Sequence, residues 1–431
     1  MTSSRRPTSG PGGSPNPSAR RRERVDLTRS PQEEQFRTRV TTFLADQLPA
    51  GWEGYGALSP GDRASFLVEW RVLLREHRLL GVSWPVEYGG GGLGLAEQAV
   101  LVEEFARAGV PTHPHPNDTF GLNLIGPTLL ALGTDDQRRR FLRPTLDGDI
   151  AWAQGYSEPE AGSDLFALRT RADRDGDELV LHGQKVWQTA GLTANRMFTL
   201  VRTDPDQPRS RGLSFVLLDL DQPGVDVRGI RTITGETEFS EVFLDGARAR
   251  IDDVVGGLGA GARVALALLG FERGAVGLAA AVGHRIELGR LIALVRAQGL
   301  AADPLVRQDV VRCWTRVHQL YCLALTALTA GLRGDPPGPE SSLVKLLTAE
   351  HHQTVTDLAM RVLGPAVLAP TGPRAAEWLR PQPLGTPPDS AAPWTDDYLN
   401  ARARTIYGGS SEIQRDTIAT RILGLPPARG A

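Results

Sequence analysis

From about 150 to 255 the chain consists of short apolar runs closed off by turn residues, whereas on both sides apolar positions recur with helical spacing. This change of period constrains the fold more than any other feature. Residues 169–174 and 178–182 alternate and are separated by Asp175-Gly176-Asp177, a hairpin signal. Runs at 196–203 and 212–220 are bounded by Asp204-Pro205-Asp206 and Asp221-Gln222-Pro223-Gly224, and 241–244 adds another strand. Strands joined by short turns, with no helices between them, predict an antiparallel sandwich or barrel, not a doubly wound sheet. That reading also disposes of a decoy. Gly257-Leu258-Gly259-Ala260-Gly261-Ala262 fits G-x-G-x-x-A, but a dinucleotide fold needs a buried parallel strand just before it, and Arg250-Ile251-Asp252-Asp253-Val254-Val255 is a poor one.

Upstream, Phe36, Val40, Phe43 and Leu44 mark a first helix from Gln32, followed by helical runs at about 62–80 and 95–108. Residues 126–143 read as helix, turn and helix, with Gly133-Thr134-Asp135-Asp136 supplying a stop and an N-cap. Downstream, helices are expected at about 262–298, 304–332, 342–363, 395–406 and 411–423, broken by Asp335-Pro336-Pro337-Gly338-Pro339 and the proline-laden stretch 364–393. Long helices joined this way predict an antiparallel bundle. The expected class is therefore α+β: a tail at 1–29 whose Ser, Pro, Gly and Arg content predicts disorder, a helical domain at 30–149, a middle β domain at 150–256 and a C-terminal helical bundle at 257–431.

Charge and composition exclude several roles. A net charge of −2 argues against a nucleic-acid or polyanion binder. The two cysteines, Cys313 and Cys322, fall on opposite faces of a continuous helix, so they are not expected to pair, and a reducing, cytoplasmic setting follows as the default. There is no run of about 18 apolar residues and no apolar signal-peptide core, so neither a membrane span nor a secretory leader is expected. His113, His115 and Asp118 have a possible metal-ligand spacing, but no further spaced His or Cys group accompanies them; a proline-stiffened loop is the better reading and no metal site is expected.

The chemistry concentrates between 154 and 191. Tyr156-Ser157-Glu158-Pro159-Glu160-Ala161-Gly162-Ser163-Asp164 is rich in turn residues and small hydroxyls, which suits backbone lying close to a polar ligand. The hairpin brings Gly183-Gln184-Lys185-Val186-Trp187-Gln188-Thr189-Ala190-Gly191 back beside it. A flat aromatic next to amides and hydroxyls is what a planar heteroaromatic cofactor with a phosphate tail requires.

These residues resemble the flavin-binding core of the acyl-CoA dehydrogenases, in which S-E-P-x-A-G-S-D is followed after a hairpin by G-Q-K-x-W-x-T. Ser83-Trp84-Pro85-Val86-Glu87-Tyr88-Gly89-Gly90 and Ile406-Tyr407-Gly408-Gly409-Ser410-Ser411-Glu412-Ile413-Gln414-Arg415 extend the likeness to most of the chain after the tail. The resemblance implies FAD, an acyl thioester on CoA or a carrier protein, a trans-2-enoyl product, an electron-transferring flavoprotein as acceptor, and a homodimer or homotetramer. It implies that Ser157 meets the flavin pyrimidine edge, Ser163 the pyrophosphate, Trp187 the wall beside the ring and Thr189 the N5 region, with Ser410 and Glu412 at cofactor-contacting positions of the last motif. It also implies that the Trp84 loop shapes the mouth of the site.

The family's best-known branch carries its catalytic base directly before the glycine of the last motif; this chain has Gly408 there, and glycine cannot take a proton. Other branches place the base on the first helix of the final bundle, where Glu272 matches, with a structural ion pair as the competing reading. Gly408 then serves through its backbone N–H on the thioester carbonyl. The family's Arg-x-x-Phe-Gly motif, which reaches a neighbouring subunit's FAD, is absent, and Arg296 is the nearest substitute. Two rival functions remain at this point: a flavin monooxygenase on the same scaffold, and a non-catalytic subunit of a hetero-oligomeric dehydrogenase.

Overall fold

A computed structural model of the chain describes residues 30–271, 276–335, 338–372 and 384–427. The tail expected at 1–29 and the proposed base Glu272 lie outside the described residues.

Ser30 opens the first helix, α1 (Pro31–Gln47), with a capping box: its hydroxyl accepts from Glu33 N while the Glu33 carboxylate accepts from Ser30 N. Phe36, Val40, Phe43 and Leu44 are its buried positions, as their spacing predicts. Next come α2 (Pro60–Glu76), α3 (Leu95–Ala108), α4 (Gly126–Leu132) and α5 (Asp135–Asp147), the last started by a Thr134–Gln137 capping box. Trp84, in the glycine-rich loop between α2 and α3, is fully buried and donates to Leu122 O at 3.0 Å. A Cβ on Gly126 would lie 1.9 Å from its ring, so that glycine is what admits the indole. The Trp84 side chain is thus a core anchor.

The middle region is an eight-stranded sheet: β1 (Trp152–Gly155), β2 (Arg171–Asp175), β3 (Glu178–Thr189), β4 (Arg196–Arg202), β5 (Leu213–Asp219), β6 (Val225–Ile230), β7 (Phe239–Arg250) and β8 (Val254–Val255). The main path runs β6-β7-β3-β2-β4-β5-β8 and is antiparallel except at β2–β4. β1 departs from the antiparallel expectation: it pairs parallel with β4, from Trp152↔Arg196 to Gly155↔Thr199. A parallel pair needs a long crossover, and the β2–β3 hairpin with its flanking loops supplies it. β8 runs antiparallel to β5, so the glycine run after it does not follow a parallel strand, as the exclusion of a dinucleotide fold required.

The central strands β4 and β5 are buried on both faces, which explains their nearly unbroken apolar sequence. Phe198, Leu200, Phe215 and Leu217 face the core of the helical domain, where α6 (Gly261–Phe271) adds Val264, Ala265 and Leu268. Met197, Val201, Val216 and Leu218 point the other way, into a core closed by Leu179, Leu181, Val242 and Leu244. The remaining helices are α7 (Val276–Ala297), α8 (Pro304–Leu332), α9 (Ser341–Leu363), α10 (Ala391–Ala401) and α11 (Ser411–Thr417). The bundle has its own core around Leu291, Leu294, Val317, Val355, Leu358 and Trp394. Cys313 is buried and Cys322 exposed, both unpaired, as their phase on α8 predicts.

Candidate active site

The cradle begins where β1 ends. Glu158 and Ala161 exchange backbone hydrogen bonds at 3.1 Å each, closing a tight turn. The Glu158 side chain turns inward, where its carboxylate accepts from Arg169 N at 2.6 Å, Thr170 N at 2.9 Å and Lys185 Nζ at 2.8 Å. Lys185 is fully buried on β3 and also donates to Tyr156 O at 3.3 Å. Val186 N donates to Ser157 O at 3.0 Å. Burial works against an ionised Glu158, but the Lys185 ammonium and the surrounding donors outweigh it and hold the carboxyl below its usual range. For Lys185 burial is the stronger effect, lowering it to about 8 against the pull of Glu158. A lysine at about 8 still carries its proton at neutral pH, and the four hydrogen bonds to oxygen acceptors fit the same charged pair.

Two residues further on, β3 breaks register. Val186 pairs with Glu241 and Gln188 with Ser240, leaving Trp187 as an unpaired bulge residue with φ 68°. The bulge turns the indole outward: Trp187 is 58% exposed and meets Phe239 edge-on at 5.9 Å between centroids. Thr189 ends the strand, and Ala190 follows with φ 54°. Its carbonyl accepts from Asn117 Nδ2 at 2.9 Å and Thr193 Oγ1 at 3.0 Å, and Asn117 Nδ2 also donates to Trp152 O at 2.9 Å. A buried asparagine of the helical domain therefore fixes the end of β3 against β1. Ser163 lies exposed on the turn.

The last motif is carried by the bundle. Gly408 and Gly409 take φ 64° and 88°, conformations that favour glycine. Ser410 caps α11 by accepting from Ile413 N, and Glu412 is exposed in its first turn. The backbone N–H of Glu412 and the Ser410 hydroxyl hold that carboxyl below its usual range. Lys345 of α9 donates to Arg404 O at 2.5 Å and sits 5.0 Å over the Tyr407 ring, bracing the approach to Gly408. Arg296 is exposed in the last turn of α7.

The structure thus brings Ser157, Trp187 and Thr189 together around one hairpin, with Ser163 on the adjoining turn, while Gly408, Ser410 and Glu412 form a second group at the start of α11. An exposed indole on a strand whose backbone is bonded to the Ser157 segment offers a flat apolar wall next to a turn rich in hydroxyls, which suits a planar ring with a polar edge such as a flavin. The His113–Asp118 loop is tied to α2: Asp118 accepts from Arg71 Nη2 at 2.9 Å and from the loop's own His115 N at 2.9 Å, and the loop borders a cavity of about 390 Å³. Sequence reasoning missed Asn117 and the Glu158–Lys185 pair. Both residues of the pair stand inside the two quoted motifs, but a charged residue in a turn or a strand gives no sign that it is buried.

Three family models cover the chain in order: acyl-CoA dehydrogenase N-terminal domain at 30–149, middle domain at 153–247 and C-terminal domain at 259–423. The chain is 42% identical over 400 residues to acyl-CoA dehydrogenase IpdE1 of Mycobacterium tuberculosis, covering 91% of this chain and 98% of that one. Among solved structures it resembles the Tcur3481-Tcur3483 steroid ACAD, with TM-score 0.75, 30% identity and coverage of 94% and 100%. It also resembles the ChsE4-ChsE5 complex from Mycobacterium tuberculosis, with TM-score 0.72, 27% identity and the same coverage. With all three domains present in order, the chain belongs to the acyl-CoA dehydrogenase family of FAD-dependent flavoproteins, oxidoreductases acting on CH–CH groups.

Proposed function

We propose that this protein dehydrogenates the α,β-bond of a steroid-derived acyl-CoA to a trans-2-enoyl thioester, with Glu272 as the base. The observation that carries this reading is the outward-turned Trp187 on its β-bulge, locked beside Ser157 by the buried Glu158–Lys185 pair. The steroid-derived substrate class is supported by the likeness to the Tcur3481-Tcur3483 steroid ACAD.

In this reading Trp187 walls one side of the flavin, Thr189 meets its N5 region, Ser157 its pyrimidine edge and Ser163 the pyrophosphate. Ser410, Glu412 and Arg296 complete the cofactor contacts, Glu412 through its backbone. When bound, the cofactor supplies the acceptor for the β-hydride. Glu272 takes the α-proton as that hydride leaves, so the substrate loses one proton and one hydride and gains a C=C bond. The Gly408 N–H donates to the thioester oxygen, where enolate charge develops. An electron-transferring flavoprotein is the proposed electron acceptor.

A specific observation also favours a second subunit type. Both structural relatives at 27–30% identity are described as paired proteins, Tcur3481-Tcur3483 and ChsE4-ChsE5. A hetero-oligomer therefore stands beside the homodimer or homotetramer as the working assembly.

The test is the visible spectrum of the purified protein during anaerobic addition of straight-chain and steroid-ring acyl-CoAs. Bound flavin that bleaches with a ring-bearing acyl-CoA in the parent, and not in Glu272→Gln, is the expected result. Flavin that stays oxidised with every acyl-CoA overturns the substrate assignment, and bleaching retained in Glu272→Gln overturns the base.

A further inference from the structure

A second cluster of reactive side chains lies inside the bundle. His284 and Glu287, three residues apart on α7, share a helix face. His351 and His352 approach from α9. The four are 1%, 0%, 3% and 0% exposed. His284 Nδ1 lies 3.0 Å from Glu287 Oε2, and His352 Nδ1 lies 2.7 Å from Glu287 Oε1. The second contact is short but poorly aligned for a hydrogen bond, and His351 Nε2 has no hydrogen-bond partner among the described residues. The His284 and His351 rings meet edge to face at 5.1 Å.

One donor atom each from His284, Glu287 and His351 lies within 4.8 Å of the other two. Two imidazoles and a carboxylate form a ligand set that a zinc-class cation accepts, and small side-chain movements would bring three such atoms to bonding distance of one ion. Helical bundles also build metal sites in their cores from Glu and His three residues apart on one helix together with side chains of facing helices. The competing cation is Arg290, one turn further along α7, whose guanidinium stacks 4.7 Å over Trp394 of α10.

We propose that His284, Glu287 and His351 bind one zinc-class divalent cation, with His352 as the outer partner of the Glu287 carboxylate. Such an ion would pin α7 to α9, the helix whose Lys345 braces the segment leading to Gly408. Three protein ligands leave the fourth tetrahedral position to a water.

The test uses the full chain as purified, with flavin, and does not depend on turnover. The metal content is measured after dialysis against zinc and then buffer, and the visible spectrum is recorded after loading with cobalt. The surface variant His318→Ala controls for adventitious binding, and Glu287→Gln and His351→Ala remove ligands. About one zinc per chain in the parent and in His318→Ala, less than a tenth of that in the ligand variants, and intense tetrahedral cobalt bands in the parent are expected. Zinc content in the parent no higher than in Glu287→Gln, or no cobalt bands in the parent, overturns the proposal. Zinc lost from the parent in the buffer step also overturns it, and that loss and missing cobalt bands are read on the parent alone, so the proposal stays testable even if a ligand variant fails to fold.

Discussion

The ammonium of Lys185 lies 2.8 Å from Oε1 of Glu158, with the lysine fully buried and the carboxylate nearly so. This contact ties the turn after β1, the proposed cofactor cradle, to the strand that carries Trp187. Breaking a buried pair from one side leaves a charge without its partner, at a cost of about 3–5 kcal/mol, whereas removing both is far milder. Lys185→Met and Glu158→Gln should each destabilise the protein by about that much and lower its flavin-to-protein ratio. The double variant should recover at least half the stability. Urea unfolding with flavin content measured on the same samples checks this, and strict additivity of the two losses would contradict the coupling.

Acid should act on the same pair. Burial opposes the charge on Glu158, but Lys185 and its neighbours win and hold the folded-state value below the ordinary 4.5. The unfolded chain therefore binds this proton first, and the stabilisation is fully present above 4.5 and lost as pH falls through the lowered value. Stability of the parent between about pH 5 and 3 should fall more steeply than that of the Glu158→Gln, Lys185→Met double variant. Parallel slopes would refute it.

Glu238 should behave in the opposite sense. It is buried, neither carboxylate oxygen has a hydrogen-bond partner among the described residues, and burial, aided by Glu236, raises it to about 8. The folded form keeps a proton that the unfolded chain releases near 4.5, so this group makes stability fall as pH rises from there to about 8. Glu238→Gln should then raise the melting temperature at pH 8.5 by about 2 °C or more and change it little at pH 4.5. An equal shift at both values would remove the titration as its cause.

Trp187 holds a left-handed backbone that costs a non-glycine residue about 1 kcal/mol. Trp187→Gly relieves that strain and removes the proposed flavin wall. The apoprotein should be as stable as the parent or more so, while flavin binding weakens about tenfold, the loss of one stacking contact. Apoprotein melting together with flavin titration separates the two effects; unchanged flavin affinity would take Trp187 out of the site.

Asn117→Ala removes one buried amide that holds two carbonyls, Trp152 O and Ala190 O. A loss of about 2 kcal/mol is expected, with faster flavin release, because β3 is no longer held at its end. Flavin release rates against stability would show it; a purely global loss with unchanged release would confine Asn117 to folding.

Much of this was legible in residue order. The helix starts at Ser30 and Thr134, the Asp175-Gly176-Asp177 hairpin and the opposite phases of Cys313 and Cys322 are local matters, set by capping geometry, turn conformation and helical period. The family was legible for the same reason, since the residue types and spacing of its motifs reflect local backbone demands. The parallel pairing of β1 with β4 was not, because partner choice in a sheet depends on where a long connection returns. Nor was the partnership of Glu158 with Lys185, 27 residues away, or of Asn117 with Ala190.

The sequence by itself determined the order of helical, β and helical parts, the hairpin and the family motifs, because short-range periodicity and turn chemistry are written into neighbouring residues. Only the tertiary structure decided which polar groups are taken out of water: Glu158 with Lys185 under the cradle, and Glu287 between His284 and His352 in the bundle. Burial follows from the packing of distant segments, and a charged residue reads the same in sequence whether it meets solvent or a partner.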